Sequence, residues 1–284
     1  MKIVRTVAEW QRWCDEARRV KQSIGLVPTM GALHAGHLEL VKAARAENDL
    51  VVLTIFVNPT QFTNQEDLER YPRPEEADRA AAEAAGVDLL VIPTVKEVWP
   101  VFPPPVTYQV GPLGDRYEGV DRPGHFTGVA QVVRRIFDIT GECRAYFGEK
   151  DFQQVAVVRE MVRTLDLDAE VKTIPTVRAE DGLALSSRNA RLSPEGRTRA
   201  LAFSAVLRDS SVGSAEGIEA AARHTLEAAG VEVSYATVVD NQSLQRVSPD
   251  YRGPARVVLA GVVEGVRLLD NGPVVVRSDD AVSN

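Results

Sequence analysis

Cysteine is nearly missing from this chain: Cys14 and Cys143 are the two present in 284 residues. They show no metal-ligand spacing, and each reads as a structural free thiol. A basic excess is missing as well. The formal charge of −7 excludes a general nucleic-acid binder, which needs a basic surface to displace counterions from phosphates. Small anionic ligands remain allowed, because one local basic pocket is enough. The longest apolar segment, near Leu50 to Val57, is too short to span a bilayer. Met1-Lys2-Ile3-Val4-Arg5 lacks the apolar core of a signal peptide, so a cytoplasmic protein with no membrane partner is expected. Low-complexity tracts and internal repeats do not stand out either. What is left is an ordinary soluble composition, 44% hydrophobic and 26% charged, in a chain long enough for two domains.

The apolar pattern alternates between helix and strand periods. Trp10, Trp13, Cys14 and Ala17 recur at helical spacing between Val7 and about Val20. The run Ile24-Gly25-Leu26-Val27 reads as a strand, and Leu38, Leu40, Val41 and Ala44 form one face of a following helix. Leu50 to Val57 is almost continuously apolar and β-branched, as a strand buried on both faces of a parallel sheet should be. A helix over about 75–85, a strand over Val87–Pro93, a helix from Val129 to Ile139, a strand at Ala145–Phe147, a helix over Val155–Leu165 and a strand over 169–177 follow. Between them, Pro100 to Pro123 is expected to be irregular or short β structure reaching over the sheet. Ser193-Pro194-Glu195 has the signature of a helix N-cap with proline at the first position. Helices over 194–209 and 215–229 and strands near 231–240, 255–263 and 274–277 complete the chain. The pattern predicts an α/β protein: a doubly wound parallel sheet followed by a smaller α+β part.

Chemistry concentrates where strands end. Pro28-Thr29-Met30-Gly31-Ala32-Leu33-His34-Ala35-Gly36-His37 joins the first apolar strand to a helix start. Such a start offers unpaired N–H groups and about half a positive charge, and Gly31 and Gly36 let backbone approach a bound anion. His34 and His37 either add donors for that anion or merely cap the helix. At the end of the next strand, Pro59 stops the ladder and presents Asn58 and Gln61, unless these only form a polar turn. A second strand–turn–helix junction carries Gly148-Glu149-Lys150-Asp151-Phe152-Gln153-Gln154.

These stretches, with Arg122-Pro123-Gly124-His125-Phe126 and Asp181-Gly182-Leu183-Ala184-Leu185-Ser186-Ser187-Arg188-Asn189, occur in an order that resembles the pantothenate synthetase family, the pantoate–β-alanine ligases, over nearly the whole chain. Thr60 and Gln131 depart from the family pattern without carrying its chemistry, and the serine-rich stretch over 208–215 leaves the last domain less defined than the site. The resemblance implies a Rossmann-like domain over 1–176 that binds ATP and pantoate, and a smaller domain over 177–284 closing over the active site. It also implies a homodimer, magnesium accompanying ATP, and a pantoyl adenylate that β-alanine then attacks to release pantothenate and AMP.

By the same resemblance, ATP contacts run over Met30 to His37, Gly148 to Asp151, Val177, and Leu185-Ser186-Ser187-Arg188. His34, His37, Lys150 and Arg188 are the expected catalytic groups, with His37 giving a proton to departing pyrophosphate. Lys150 suits the α-phosphate as a point charge, and Arg188 offers a planar fork. Gln61 and Gln154, helped by Asn58, are expected on pantoate, because an amide holds a carboxylate without neutralising it. Val177 is expected in the nucleotide pocket or simply in the core. Asp78 is expected either near magnesium or as an exposed helix acid. A cytidylyltransferase-like enzyme would share the histidine motif but has no use for the paired glutamines. A tRNA-synthetase-like enzyme predicts a basic surface that the composition lacks, and a non-catalytic relative would have lost one of the phosphate-facing side chains.

Overall fold

The computed structural model describes residues 1–209 and 212–278. The chain forms two compact units, one of residues 1–149 and 153–175, the other of residues 150–152 and those from Thr176 onward.

In the first unit, β1 (Lys2–Val4), β2 (Ile24–Thr29), β3 (Leu50–Ile55), β4 (Leu89–Val91), β5 (Cys143–Gly148) and β6 (Ala169–Ile174) form one sheet in the order β1-β4-β3-β2-β5-β6. Every neighbouring pair is parallel. Alternation along the strands divides the apolar residues between two cores. Leu26, Val52, Leu89 and Phe147 pack with α1 (Val7–Arg19), α7 (His125–Thr140) and α8 (Phe152–Leu165). Val27, Val51, Leu53 and Leu90 pack with α2 (Ala35–Glu47) and α4 (Glu75–Ala84). This is the Rossmann-like, doubly wound arrangement, with both faces of the sheet covered.

Two local outcomes differ from the sequence reading, and a third stretch is irregular, one of the two alternatives expected for it. β1 was not foreseen; its three residues hydrogen-bond beside β4 at the sheet edge. β2 runs on through Pro28 and Thr29, which pair with β3 alone, so the missing proline N–H interrupts no ladder with β5. Residues 100–123 form no strand but a 3-10 turn at Gly111–Leu113 and the single turn α6 (Glu118–Asp121). The segment instead contributes Tyr108 and Val110 to the core beside α7.

In the second unit, α9 (Pro194–Asp209) and α10 (Ala215–Ala228) cover a sheet of β7 (Val212–Gly213), β8 (Glu232–Val239), β9 (Gly253–Val263) and β10 (Val266–Val276). Phe203, Ala222, Leu226, Val257 and Leu259 build its core. Ser193 caps α9 by accepting the Gly196 N–H at 3.0 Å, as expected. Its N–H and hydroxyl both donate to Glu264, in the turn of the β9–β10 hairpin, at 3.1 and 2.8 Å. β10 begins eight residues before the strand expected near 274–277. Ser210 and Ser211, in the serine-rich stretch, lie outside the described residues.

Burial pushes the Cys14 and Cys143 thiols up to about 12. Burial, with a hydrogen bond to Glu47, does the same to the Tyr146 hydroxyl. The folded chain therefore keeps these protons above the pH at which the unfolded chain releases them, near 9 for the thiols and 10 for the phenol. Their contribution to stability is full below about pH 9 and is lost as pH rises toward about 12. Urea melts should show stability falling through that window. A thiol reagent at pH 8 should label neither cysteine in the native protein and both in urea; rapid native labelling would contradict the burial.

Candidate active site

The winding of the first sheet reverses beside β2. From β2 the chain moves to β3 and β4 through α2 and α4, and from β4 it returns to β5 and β6 through α7 and α8, on the other face. The β2–β5 ladder pairs only Gly25 and Leu26 with Arg144 and Ala145. Beyond Leu26 the two central strands no longer pair, and open α/β sheets bind ligands in the crevice at such a reversal.

The Met30–His37 stretch begins there. His34 is the N-cap of α2, and its Nδ1 accepts the Gly36 N–H at 3.1 Å. The His37 Nδ1 accepts the His34 N–H at 3.4 Å, and the rings stack with centroids 4.0 Å apart. Both rings thus cap the helix start. With both Nδ1 atoms accepting, the proton of each neutral ring sits on Nε2, whose N–H is a donor at the positive end of a helix with no acid in its first turn. The preceding turn is strained, with Gly31 at φ 81° and Ala32 at φ 50°. Asp78 braces it: its carboxylate accepts the Ala32 and Leu33 N–H groups at 2.8 and 2.7 Å. Asp78 is 2% exposed, so it is no exposed helix acid, and both oxygens are engaged by backbone. Among the described residues no three His, Cys, Asp or Glu side chains gather as a metal cage.

Asn58 and Gln61 come together at the end of β3. Asn58 caps the 3-10 turn Pro59–Gln61, and its Nδ2 donates to Thr60 Oγ1 at 2.8 Å, Gln61 Oε1 at 3.1 Å and the Gly128 carbonyl at 3.2 Å. Asn58 therefore holds the turn and fixes the Gln61 side chain through its Oε1. Trp99 and His125 were not singled out by the sequence reading, yet both support this turn. Trp99 Nε1 donates to Asn58 Oδ1 at 3.2 Å, and His125 Nδ1 donates to the Gln61 carbonyl at 2.7 Å. The motif around His125 was the one available signal. Of the two adjacent glutamines of α8, Gln153 is the structural one: it donates to the Leu113 and Arg116 carbonyls at 2.8 and 2.7 Å and accepts the Glu118 N–H at 3.2 Å. Gln154, next along α8, is half-buried. A cavity of about 360 Å³ nearby is lined by Met30, Phe56, Val57, Pro59, Arg73 and Asp78 among others, but by neither histidine nor Gln61.

The second unit carries Lys150, Asp151, Val177 and the Leu185–Arg188 run. Lys150 is 19% exposed, with Nζ 3.5 Å from Asp151 Oδ1. Val177 is half-buried rather than in the core, and its carbonyl accepts the Leu185 N–H at 3.0 Å. Ser186 caps the short 3-10 helix Ser187–Arg191 by accepting the Arg188 N–H at 3.2 Å, which leaves its own hydroxyl proton to donate. Gly148 and Glu149 remain with the first unit, at the end of β5.

A Rossmann-like sheet whose central strand runs into a histidine-capped helix start, with an amide presented at the next strand, defines a nucleotidyl-transferring type of enzyme. Comparison makes the class specific. The family model for pantoate-beta-alanine ligase matches residues 2–273, and the chain belongs to that family. A pantothenate synthetase of Paracoccus denitrificans is 48% identical over 97% of this chain and 99% of its own length. The crystal structure of the Thermus thermophilus pantothenate synthetase superposes with a TM-score of 0.89 at 45% identity, covering 96% of this chain and 99% of that one. A Francisella tularensis pantoate-beta-alanine ligase, complexed with beta-gamma ATP and beta-alanine, gives 0.81 at 33% identity, covering 96% and 97%.

Two substitutions test the supports. A Cβ at Gly128 would lie 2.2 Å from the Thr60 carbonyl oxygen and 2.7 Å from the Gln61 Cα, and backbone cannot step aside as a flexible side chain would. Gly128→Ala should lower stability by about 1–3 kcal/mol in denaturant titration. Asp78→Asn removes one of two acceptors from half-buried N–H groups and should cost about 1–3 kcal/mol. Wild-type stability in either variant would show that the turn is not held as described.

Proposed function

We propose that this chain condenses pantoate with β-alanine in two steps at the expense of ATP, making pantothenate. The pantoate carboxylate attacks the α-phosphorus; the new P–O bond forms as the bond to pyrophosphate breaks, giving pantoyl adenylate. The β-alanine amine then attacks the acyl carbon, loses a proton, and AMP departs. The observation that carries this reading is the histidine-capped start of α2 at the reversal of the sheet, with both Nε2–H groups as donors. The ligands of the Francisella relative support ATP and β-alanine as substrates.

Negative charge builds on the bridging and non-bridging oxygens during adenylation, so fixed donors and cations lower the barrier. His34 and His37 meet the phosphates from the helix start, and the His37 Nε2–H donates a hydrogen bond to departing pyrophosphate. Lys150 stabilises the α-phosphate, Arg188 and the Ser186 and Ser187 hydroxyls hold phosphate oxygens, and Asp151 meets the ribose. Gln61 and Gln154 hold pantoate through neutral amides, so the carboxylate remains a nucleophile. Magnesium enters as the counter-ion of ATP, part of the substrate. Asp78 has its oxygens on the Ala32 and Leu33 amides, and no protein ligand for the ion is assigned. The reading includes a cytoplasmic homodimer in which the domain over 177–284 closes over the site, with neither nucleic acid nor membrane as partner. Nothing observed favours cytidylyl transfer.

Pyrophosphate release from magnesium-ATP and pantoate, before and after β-alanine, tests the proposal. A small release followed by sustained AMP and pantothenate production is expected. His37→Ala and Lys150→Ala should lower adenylation at least about a hundredfold with the fold intact. Silence of the folded, ATP-bound wild-type protein under both conditions would refute the ligase reading.

A further inference from the structure

We propose that Asn271, backed by Arg256, is a positioning residue for Lys150; the inference rests on the adenylation role given to Lys150 above. Lys150 occupies a single 3-10 turn, Glu149–Asp151, between β5 and α8. Too short to hold its own geometry, such a turn takes its position from outside contacts. Residues 150–152 are held within the second unit. The contact to the lysine itself comes from β10, where the Asn271 Nδ2 donates to the Lys150 carbonyl at 2.9 Å.

Asn271 is fixed on every side. It is 5% exposed, its Oδ1 accepts from the Arg256 guanidinium, and its own N–H donates to Asp270 Oδ1 at 2.9 Å. Asp270 in turn is clamped by Arg178 through two hydrogen bonds of 2.7 and 2.9 Å. Arg256 also lies over the Phe152 ring, 4.1 Å from its centroid, so the same side chain meets the segment two residues beyond Lys150. The β9–β10 hairpin therefore sets where the lysine backbone sits, through the hydrogen bonds that run from Arg256 to Asn271 and from Asn271 to the Lys150 carbonyl. An ammonium stabilises a transition state only when placed to about 1 Å, and misplacement on that scale lowers rates by about a hundredfold at worst.

The test is a double-substitution cycle on single-turnover pyrophosphate release. Asn271→Asp keeps the shape and the acceptor for Arg256 but cannot donate to the Lys150 carbonyl. It should lower the adenylation rate about tenfold with the KM for pantoate unchanged. Asn271→Ala, which puts no new charge beside Asp270, should give the same loss; circular dichroism and thermal melting confirm that each variant is folded at the assay temperature. In a Lys150→Ala background neither substitution should lower the rate further. A wild-type rate in the folded Asn271 variants, or the same loss with and without Lys150, would overturn the positioning role. A wild-type rate in Lys150→Ala alone would instead remove the function given to Lys150, and the inference with it.

Discussion

The reversal of winding at β2 is the constraint on which the first unit depends. Parallel strands need crossovers, and a chain that winds outward through α2 and α4 and back through α7 and α8 must place these helices on opposite faces. Between the last paired residues of β2 and β5, at Leu26 and Ala145, and the helices that follow, backbone hydrogen-bonding capacity is left without a ladder. The Met30–His37 turn resolves that locally. Thr29 Oγ1 accepts the Gly31 N–H at 3.1 Å, Asp78 takes the next two amides, and the histidine rings take those of His34 and Gly36. The backbone N–H groups of the turn are thereby engaged within the protein, and the turn is rigid.

The same division between groups that act and groups that hold runs through both units. The Gln61 turn is held by Asn58, Trp99, His125 and the close approach of Gly128. Lys150 is held through its backbone by Asn271, and Asn271 by Arg256 and Asp270. Positioning of this kind is costly to lose, because a loop residue freed by a small shift forfeits most of its transition-state contact.

The motifs that carry the residues proposed to act were legible in the sequence because they are local: a strand, a glycine-bearing turn and a helix start are written in consecutive positions. The continuous apolar run of β3 and the Ser193 cap were legible for the same reason. The supports were not. Asp78 reaches back 46 residues to Ala32, His125 reaches 64 to Gln61, and Asn271 reaches 121 to Lys150, separations that no periodicity encodes. Local signals also misled at β10. Asp270-Asn271-Gly272-Pro273 has the composition of a turn, yet it lies within a strand. Arg178 neutralises Asp270 there, and β7 pairs only with Val275 and Val276, so the proline interrupts no ladder on that side.

The charges follow from what the chemistry asks of two anions. One, the carboxylate, must stay nucleophilic; the other, the α-phosphate, must be made electrophilic. A cation beside the carboxylate would stabilise the ground state and slow the attack, so amides suit that position and cations the phosphate, as in the roles proposed for Gln61, Lys150 and Arg188. Acids must be kept from both. The first turn of α2 contains none, and the buried acid that supports the approach to it, Asp78, has its charge met by two backbone N–H groups. A carboxylate satisfied in this way gives the turn rigidity and projects little field beyond it, which reconciles a buried negative charge with the anion site proposed a few residues along the same chain.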